Sequence, residues 1–561
     1  MKAPYLASAL LLILWSTPGH SGEHILITQH GIAMTESYAK AGTPMAVAIE
    51  DGIITWVGEP AAAHKRAGED TQITDLGGQA LLPGFIDAHG HASFTALTTT
   101  LANVSSPPVG EVIDIPSLQQ TLKNYIASNK IPPGEWVIGM GYDDSLLAKK
   151  QHPNRQELDA VSTEHPIYLI HVSGHLGAAN SKALARAGIT SESPNPPGGI
   201  IRRIPHSQEP NGVLEESANY PVRKYLGAAN KNPLASITAA MQLYASHGIT
   251  TAQDGATSFE AMQLLQAAAQ QGLLTLDTVI YPTAPVYGNQ QVDESAIGNY
   301  QQGLKLGGVK LMLDGSPQGK TAYLTKPYHH PPHGQDESYR GYPSLPPAQI
   351  DELVKNFLDK NIPIIAHANG DAAADILIDA VGAAAPQHDH RTVMIHAQTV
   401  REDQLTKMKS LSMVPSYFSA HTFFWGDWHR DSVLGDERAS RISPTASTVA
   451  RGMPFTVHND APVVPPNMLR LLWATTNRLT RSGKVLGEAQ RISIYHALQA
   501  VTIFAAYQNF EEQIKGTIEV GKQADLVVLS KDPLQTPAEN LLDLEVVKTF
   551  ARGKLVYSNA Q

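Results

Sequence analysis

The chain is 561 residues long and carries 42 Lys and Arg against 52 Asp and Glu, a formal net charge of -10. No Lys/Arg-rich block accompanies that balance, so nucleic acid is not an expected partner. Hydrophobic residues make up 42% and charged residues 17%, the content of a globular protein and not of a disordered one. At roughly 150 residues per domain the chain has room for two to four folded units. It has no cysteine, which excludes disulfides, thiolate nucleophiles, Cys-ligated zinc and iron–sulfur clusters. Any metal must therefore be held by Asp, Glu, a modified Lys or some of the 23 histidines.

At the amino end, Lys2 precedes an apolar run from Leu6 to Trp15, and small residues follow up to Gly22. That order predicts a secretory signal peptide over residues 1–22. The run covers about half of the ~20 residues that span a bilayer, and no other segment is apolar enough, so an exported protein, periplasmic or secreted, with no membrane span after signal removal is expected.

Residues 23–80 read as short strands with turns, such as 45–49 and 53–58 joined by Asp51-Gly52, a hairpin signal. The end of the chain, 500–561, repeats this style. A small β-sandwich domain built from both termini is the expectation. The middle, 81–499, alternates short apolar runs with stretches of helical period. Candidate strands are 82–89, 248–253, 275–281, 309–313, 363–367, 392–396, 413–418 and 454–458, the count of a (β/α)8 TIM-type barrel. The fold class is thus α/β. About 150 residues separate the first two strands, far more than a usual βα loop, and predict an inserted subdomain at about 95–235.

The first candidate strand runs into Pro83-Gly84-Phe85-Ile86-Asp87-Ala88-His89-Gly90-His91, and alternation puts His89 and His91 on the same side of an extended segment. His388-Asp389-His390 has the same spacing without an apolar run before it, and solvent exposure is expected there. Four later strands each deliver a metal-capable residue: Lys310, His367, His396 and Asp460, most at or near the carboxyl end, where barrel active sites sit. Taken singly, each has a plainer reading, a hydrogen-bonded core histidine or, for Lys310, a pair with Asp314. The segment Gly315 to Thr321 has three residues between its glycines where a phosphate loop needs four. No Gly-x-Ser-x-Gly nucleophile elbow is present.

Taken in order, PGFIDAHGH, VKLMLDG, HANGDAAADILIDA, the HAQ strand end, NDAPV and GTIEVGKQADLVVL resemble the amidohydrolase superfamily, in particular its amidohydrolase-3 (YtcJ-like) subgroup. The resemblance covers nearly the whole mature chain. It implies His89, His91, Lys310, His367, His396 and Asp460 as a metal set, with Lys310 carboxylated because a protonated lysine cannot ligate. It implies two divalent ions per chain, zinc first for ligands that are all N or O. A hydroxide shared by the two ions would be the nucleophile, and Asp460 would move its proton to the leaving nitrogen. Two departures stand out: Met394-Ile395 precedes His396 where an acidic residue is expected, and His458-Asn459-Asp460 replaces Gly-Ser-Asp. His175, matching a Gly-His segment of the subgroup, and His421 and Trp425, after the seventh strand, are candidates to touch substrate.

The implied activity is hydrolysis of carbon–nitrogen bonds other than peptide bonds, in N-substituted amides, N-acyl compounds or formamides, with a small molecule as the partner. Two alternatives stay open: a mononuclear, deaminase-like hydrolase using His89, His91, His367 and Asp460, and a non-catalytic exported binding or regulatory protein. Whether the chain forms a homo-oligomer is also open.

Overall fold

The computed structural model describes residues 22–35, 42–332 and 334–559. The expected signal peptide lies outside the described residues except for Gly22. Eight parallel strands organise the middle of the chain: β1 (Phe85–Ile86), β2 (Ile249–Thr257), β3 (Asp277–Pro282), β4 (Val309–Met312), β5 (Ile364–Ala368), β6 (Val393–His396), β7 (Val414–Tyr417) and β8 (Thr456–Val457). Most of them read as short apolar runs, as strands covered on both faces do, whereas β2 carries Thr250, Thr251, Gln253 and Asp254 in buried positions. Residues of β5, β6 and β7 are all buried.

Helices alternate with these strands. The helix Phe259–Gln270, between β2 and β3, starts where the Ser258 side chain accepts from the Ala261 amide. The helix Pro347–Asp359, between β4 and β5, starts with a proline in its first turn and buries Ile350, Val354, Phe357 and Leu358, a one-sided stripe of period 3.6.

The strands fall into two five-stranded sheets. β4 to β8 pair in sequence. β1, β2 and β3 pair with Leu304–Leu306 and Tyr300–Gln301. Among the described residues no ladder joins the two sheets into one closed barrel. They meet instead at two seams. Thr283, just past β3, bridges to Lys310 on β4. Beyond β1 and β8, the His91 amide donates to Ala461 O at 2.7 Å and the Asp460 amide to His89 O at 3.2 Å.

Both chain ends meet in one eight-stranded sheet, in the order Lys554–Ser558, Val546–Ala551, Leu526–Leu529, Ala80–Pro83, His24–Gly31, Thr43–Glu50, Ile53–Gly58, with Gln72–Asp75 beside His24–Gly31. The predicted hairpin turn is there, with Asp51 at φ 49° and Gly52 at φ 82°. The observed unit is this single mixed sheet, and among the described residues no second sheet is assigned to it. Its last three strands begin at Leu526, and Ile518 and Ala524 before them already pack in its core. Ile503–Gln508 is a helix whose Ala505 and Ala506 pack on Ile86 and Ala88 next to β1. Between β1 and β2, strands from Ala102–Asn103 to Pro210–Glu216 form a separate six-stranded sheet.

His390 is buried and not solvent-facing as its loop-like sequence predicted. Its ring nitrogens lie 2.7 Å from Thr392 Oγ1 and 2.8 Å from Leu411 O. Period and polarity identify a loop but not which of its side chains folds back.

Candidate metal centre and active site

Five of the strands bring the six expected ligands together: His89 and His91 lie just past β1, Lys310 on β4, His367 and His396 at the ends of β5 and β6, and Asp460 just past β8. His89 Nε2 lies 3.0 Å from Lys310 Nζ and 3.5 Å from Asp460 Oδ1, and His91 Nε2 lies 3.1 Å from the same oxygen. A second pair adjoins them. His396 Nε2 is 3.1 Å from His367 Nδ1, and the ring centroids of His89 and His396 are 5.6 Å apart. Lys310, His367, His396 and Asp460 are buried, and His89 is fully so. His396 and Asp460 hold φ at 72° and 54°, a left-handed backbone that is costly for a side-chain-bearing residue and concentrates at functional sites.

The hydrogen bonds around these rings decide which nitrogens are free to ligate. His89 Nδ1 is 2.7 Å from Gln253 Oε1, and the Gln253 amide is oriented by its own Nε2, which donates to Ala88 O at 2.8 Å. The His89 proton therefore sits on Nδ1, and Nε2 points a lone pair into the cluster. His367 Nε2 is 3.0 Å from Gly315 O, a carbonyl that only accepts, so its Nδ1 lone pair faces His396 Nε2. Asp460 Oδ1 is buried without a well-aligned donor despite its short separation from His91. The lone pairs of His89 Nε2 and His367 Nδ1 and the under-satisfied Asp460 oxygen together offer a cation the partners that a buried polar group needs. The donor set, nitrogen and oxygen only, suits a divalent ion.

Electrostatics agree. Burial pushes His89 and His396 well below the ordinary imidazole value, keeping both neutral. Burial opposes ionisation of Asp460, but the close approach of His91 Nε2 outweighs it and holds the carboxyl well below its usual range. Burial also lowers Lys310 to about 7. The plainer reading of Lys310, a pair with Asp314, is not realised. The Asp314 carboxylate instead accepts from the amides of Tyr323, Asn369 and Gly370.

A cavity of about 460 Å3 opens over the cluster, lined among others by His89, His91, Lys310, His367, His396, Asp460, Phe94, Ile170, Met312 and Val463. His175 lines it too, its Nδ1 2.8 Å from Glu216 Oε2 and its ring 5.7 Å from that of His367. Burial disfavours the charge on His175, but Glu216 outweighs it and the net shift is upward. His421 and Trp425 are buried and do not line the cavity. His421 Nδ1 lies 2.9 Å from His429 Nε2, and Trp425 Nε1 donates to Asp143 Oδ2 at 2.7 Å, tying the helix His421–Trp428 after β7 to the insert.

Three residues of the site were not singled out by their spacing: Gln253, Glu216 and His458. His458 had been visible only as a departure from Gly-Ser-Asp. A second group of side chains, Asp143, Asp144 and His171, is also close enough to hold an ion. There the Ser173 amide donates to His171 Nδ1 at 3.2 Å, which places the ring proton on Nε2, 3.0 Å from Asp144 Oδ1. As it stands, this group is a hydrogen-bond network joining parts of the insert, with Ser173 Oγ also 2.8 Å from His171 Nδ1.

Comparison with known proteins agrees with this geometry. The pattern of the amidohydrolase family matches residues 72–557. The chain belongs to the amidohydrolase family and is a hydrolase of carbon–nitrogen bonds. It is 27% identical over 539 residues to the N-substituted formamide deformylase of Arthrobacter pascens, covering 92% of this chain and 96% of that protein. It is 25% identical over 532 residues to the putative amidohydrolase YtcJ of Bacillus subtilis (strain 168), with the same coverage. An uncharacterized metal-dependent hydrolase from Pyrococcus horikoshii OT3 shares the fold with a TM-score of 0.71 at 22% identity, covering 92% of this chain and 99% of that one.

Proposed function

We propose that the protein is a metal-dependent hydrolase of N-substituted amides, N-acyl compounds or formamides, with His89, His91, Lys310, His367, His396 and Asp460 holding two divalent ions, zinc by preference. The observation that carries this reading is the convergence of His89 Nε2, His91 Nε2, Asp460 Oδ1, His367 Nδ1 and His396 Nε2 at the floor of one cavity. The eight parallel strands with their helices are read as a (β/α)8 barrel whose carboxyl-terminal mouth is this cavity.

Bound ions of this kind supply Lewis acidity, lowering the pKa of a coordinated water towards about 7 and polarising a carbonyl. The chain does the rest. Lys310, buried and without a carboxylate partner, is suited to add its neutral Nζ to CO2, forming an N–C bond and releasing a proton. Asp460, held ionised among the imidazoles, takes a proton from the attacking water and returns it to the leaving nitrogen. His175, its Nδ1 held by Glu216, presents its other ring nitrogen from the cavity wall to donate to the substrate oxygen. Phe94, Ile170, Met312 and Val463 cover the N-substituent and exclude bulk water.

The match to a relative named for N-substituted formamides makes formamides the first substrates to try. Formate release from a panel of N-alkyl and N-aryl formamides is expected from the metal-loaded chain, to vanish on chelation and to return with Zn2+. Turnover indifferent to chelation, or none across formamides, amides and N-acyl compounds with metal bound, overturns the reading. A mononuclear reading is favoured by one fact, that His89, His91 and Asp460 alone form a complete three-ligand group. Lys310→Ala separates the two: it lowers metal content and rate in the dinuclear enzyme and leaves both nearly intact in the mononuclear one. The export reading rests on residues 1–22, and the intact mass of protein purified from its host is expected to lack them.

A further inference from the structure

His367 and His396 present facing nitrogens, but what fixes each ring differs. The outer nitrogen of His367 lies 3.0 Å from the Gly315 carbonyl, which can only accept, with Asn369 Nδ2 at 3.1 Å beside it. His396 has no such carbonyl. Its outer nitrogen, Nδ1, lies 3.2 Å from Nε2 of His458, whose Nδ1 is 2.9 Å from Ser416 Oγ. His458 is fully buried and does not line the cavity, so it meets neither solvent nor a substrate there.

An imidazole facing an imidazole can donate or accept, and ligation removes the ambiguity. For His396 Nε2 to bind an ion it must be unprotonated, so the ring proton moves to Nδ1. His458 Nε2 must then accept it, and the His458 proton moves to Nδ1, where Ser416 Oγ accepts in turn. Every hydrogen bond in the row β6, β8, β7 is then satisfied in one direction only.

We propose that His458 is a positioning residue for the metal centre, holding His396 in its ligating tautomer and orientation through a His396–His458–Ser416 hydrogen-bond relay. This rests on the reading of His396 as a ligand. The relay does for His396 what Gln253 does for His89 and Gly315 for His367, and it explains a histidine where the related pattern has glycine. The same strand end thus supplies a ligand at Asp460 and the support of another ligand at His458.

The test is stepwise Zn2+ affinity of the metal-free chain, measured by competition with a chromogenic chelator, together with the visible spectrum of the Co2+-loaded protein. Loss of an orienting partner typically costs 10–100-fold in metal affinity. His458→Ala is expected to weaken one of the two ions by that factor, leave the other within about threefold, and change the Co2+ spectrum. His458→Gln, which restores an acceptor oxygen, is expected to recover most of the loss. Ser416→Ala, which keeps every ring, is expected to weaken the same ion by a smaller factor and serves if His458→Ala does not fold.

Unchanged affinities in His458→Ala overturn the proposal while leaving the hydrolase reading intact. Equal loss at both ions in the Ala and Gln variants, with a lowered thermal midpoint of the metal-free chain, also overturns it, since that is damage to packing. A wild-type chain that takes up no zinc overturns both readings.

Discussion

Asp460 combines three properties that a proton carrier in this reaction needs. It is buried, it stays ionised against that burial, and a left-handed backbone aims it at the imidazoles. Asp460→Asn keeps the shape and removes the base, so kcat is expected to fall by about 10²–10⁴ with the fold retained by circular dichroism. Gln253 acts one step back. Gln253→Leu leaves His89 Nδ1 without an acceptor and is expected to lower metal affinity by roughly 10–100-fold, read by the same chelator competition. At this scale the sequence points to the proposed ligands more readily than to their supports. His89 and His91 announce themselves by alternation at a strand end. Gln253 sits 164 residues from the ring it orients, and nothing local says that its amide oxygen faces that nitrogen. Glu216 is a similar case, its role visible only once His175 is beside it.

Among the elements, one departure has a clear cause. Residues 82–89 read as a single strand, yet the chain crosses there from one sheet to another. Ala80–Pro83 pairs with Leu526–Leu529 in the terminal sheet, and Phe85–Ile86 pairs with β2. Gly84 marks the crossing. Its amide donates to Asp525 O, and a Cβ there would overlap Thr250. An apolar run records burial but not which neighbour provides it. The same junction holds a buried charge cluster: Lys515 Nζ is 2.5 Å from Asp277 Oδ2, 3.6 Å from Glu511 Oε2 and 4.0 Å from Asp525 Oδ2. Burial disfavours the Lys515 charge, but these three carboxylates outweigh it and raise its pKa. Lys515→Met strands the carboxylates, so a loss of about 3–5 kcal/mol and a lower thermal midpoint are expected in calorimetry.

Over the whole molecule, histidine burial sets the response to acid. Burial lowers His152 to about 3, against a smaller upward pull from Asp144, and burial alone lowers His429 to about 3. The folded chain keeps both rings neutral while the unfolded chain protonates them below about 6.5. Stability from this pair is therefore complete above about pH 7 and is lost as pH falls towards 3, with a slope of up to about 2.7 kcal/mol per pH unit. Denaturant midpoints between pH 7 and pH 4 check the sign.

The parallel-strand core and the joining of both termini in one β unit were legible because apolar runs, turn residues and their alternation are local signals. The expected barrel closure is not realised as a ladder among the described residues: the two sheets meet through the Thr283–Lys310 bridge and through backbone hydrogen bonds among His89, His91, Asp460 and Ala461, contacts that leave no local signal. Anomalous diffraction from crystals grown with zinc and bicarbonate reads the metal centre directly. Two peaks are predicted, one among His89, His91 and Asp460 and one between His367 and His396, with Lys310 reaching both. Crystals of active protein showing no peak there, or a peak only beside Asp144 and His171, would contradict the account.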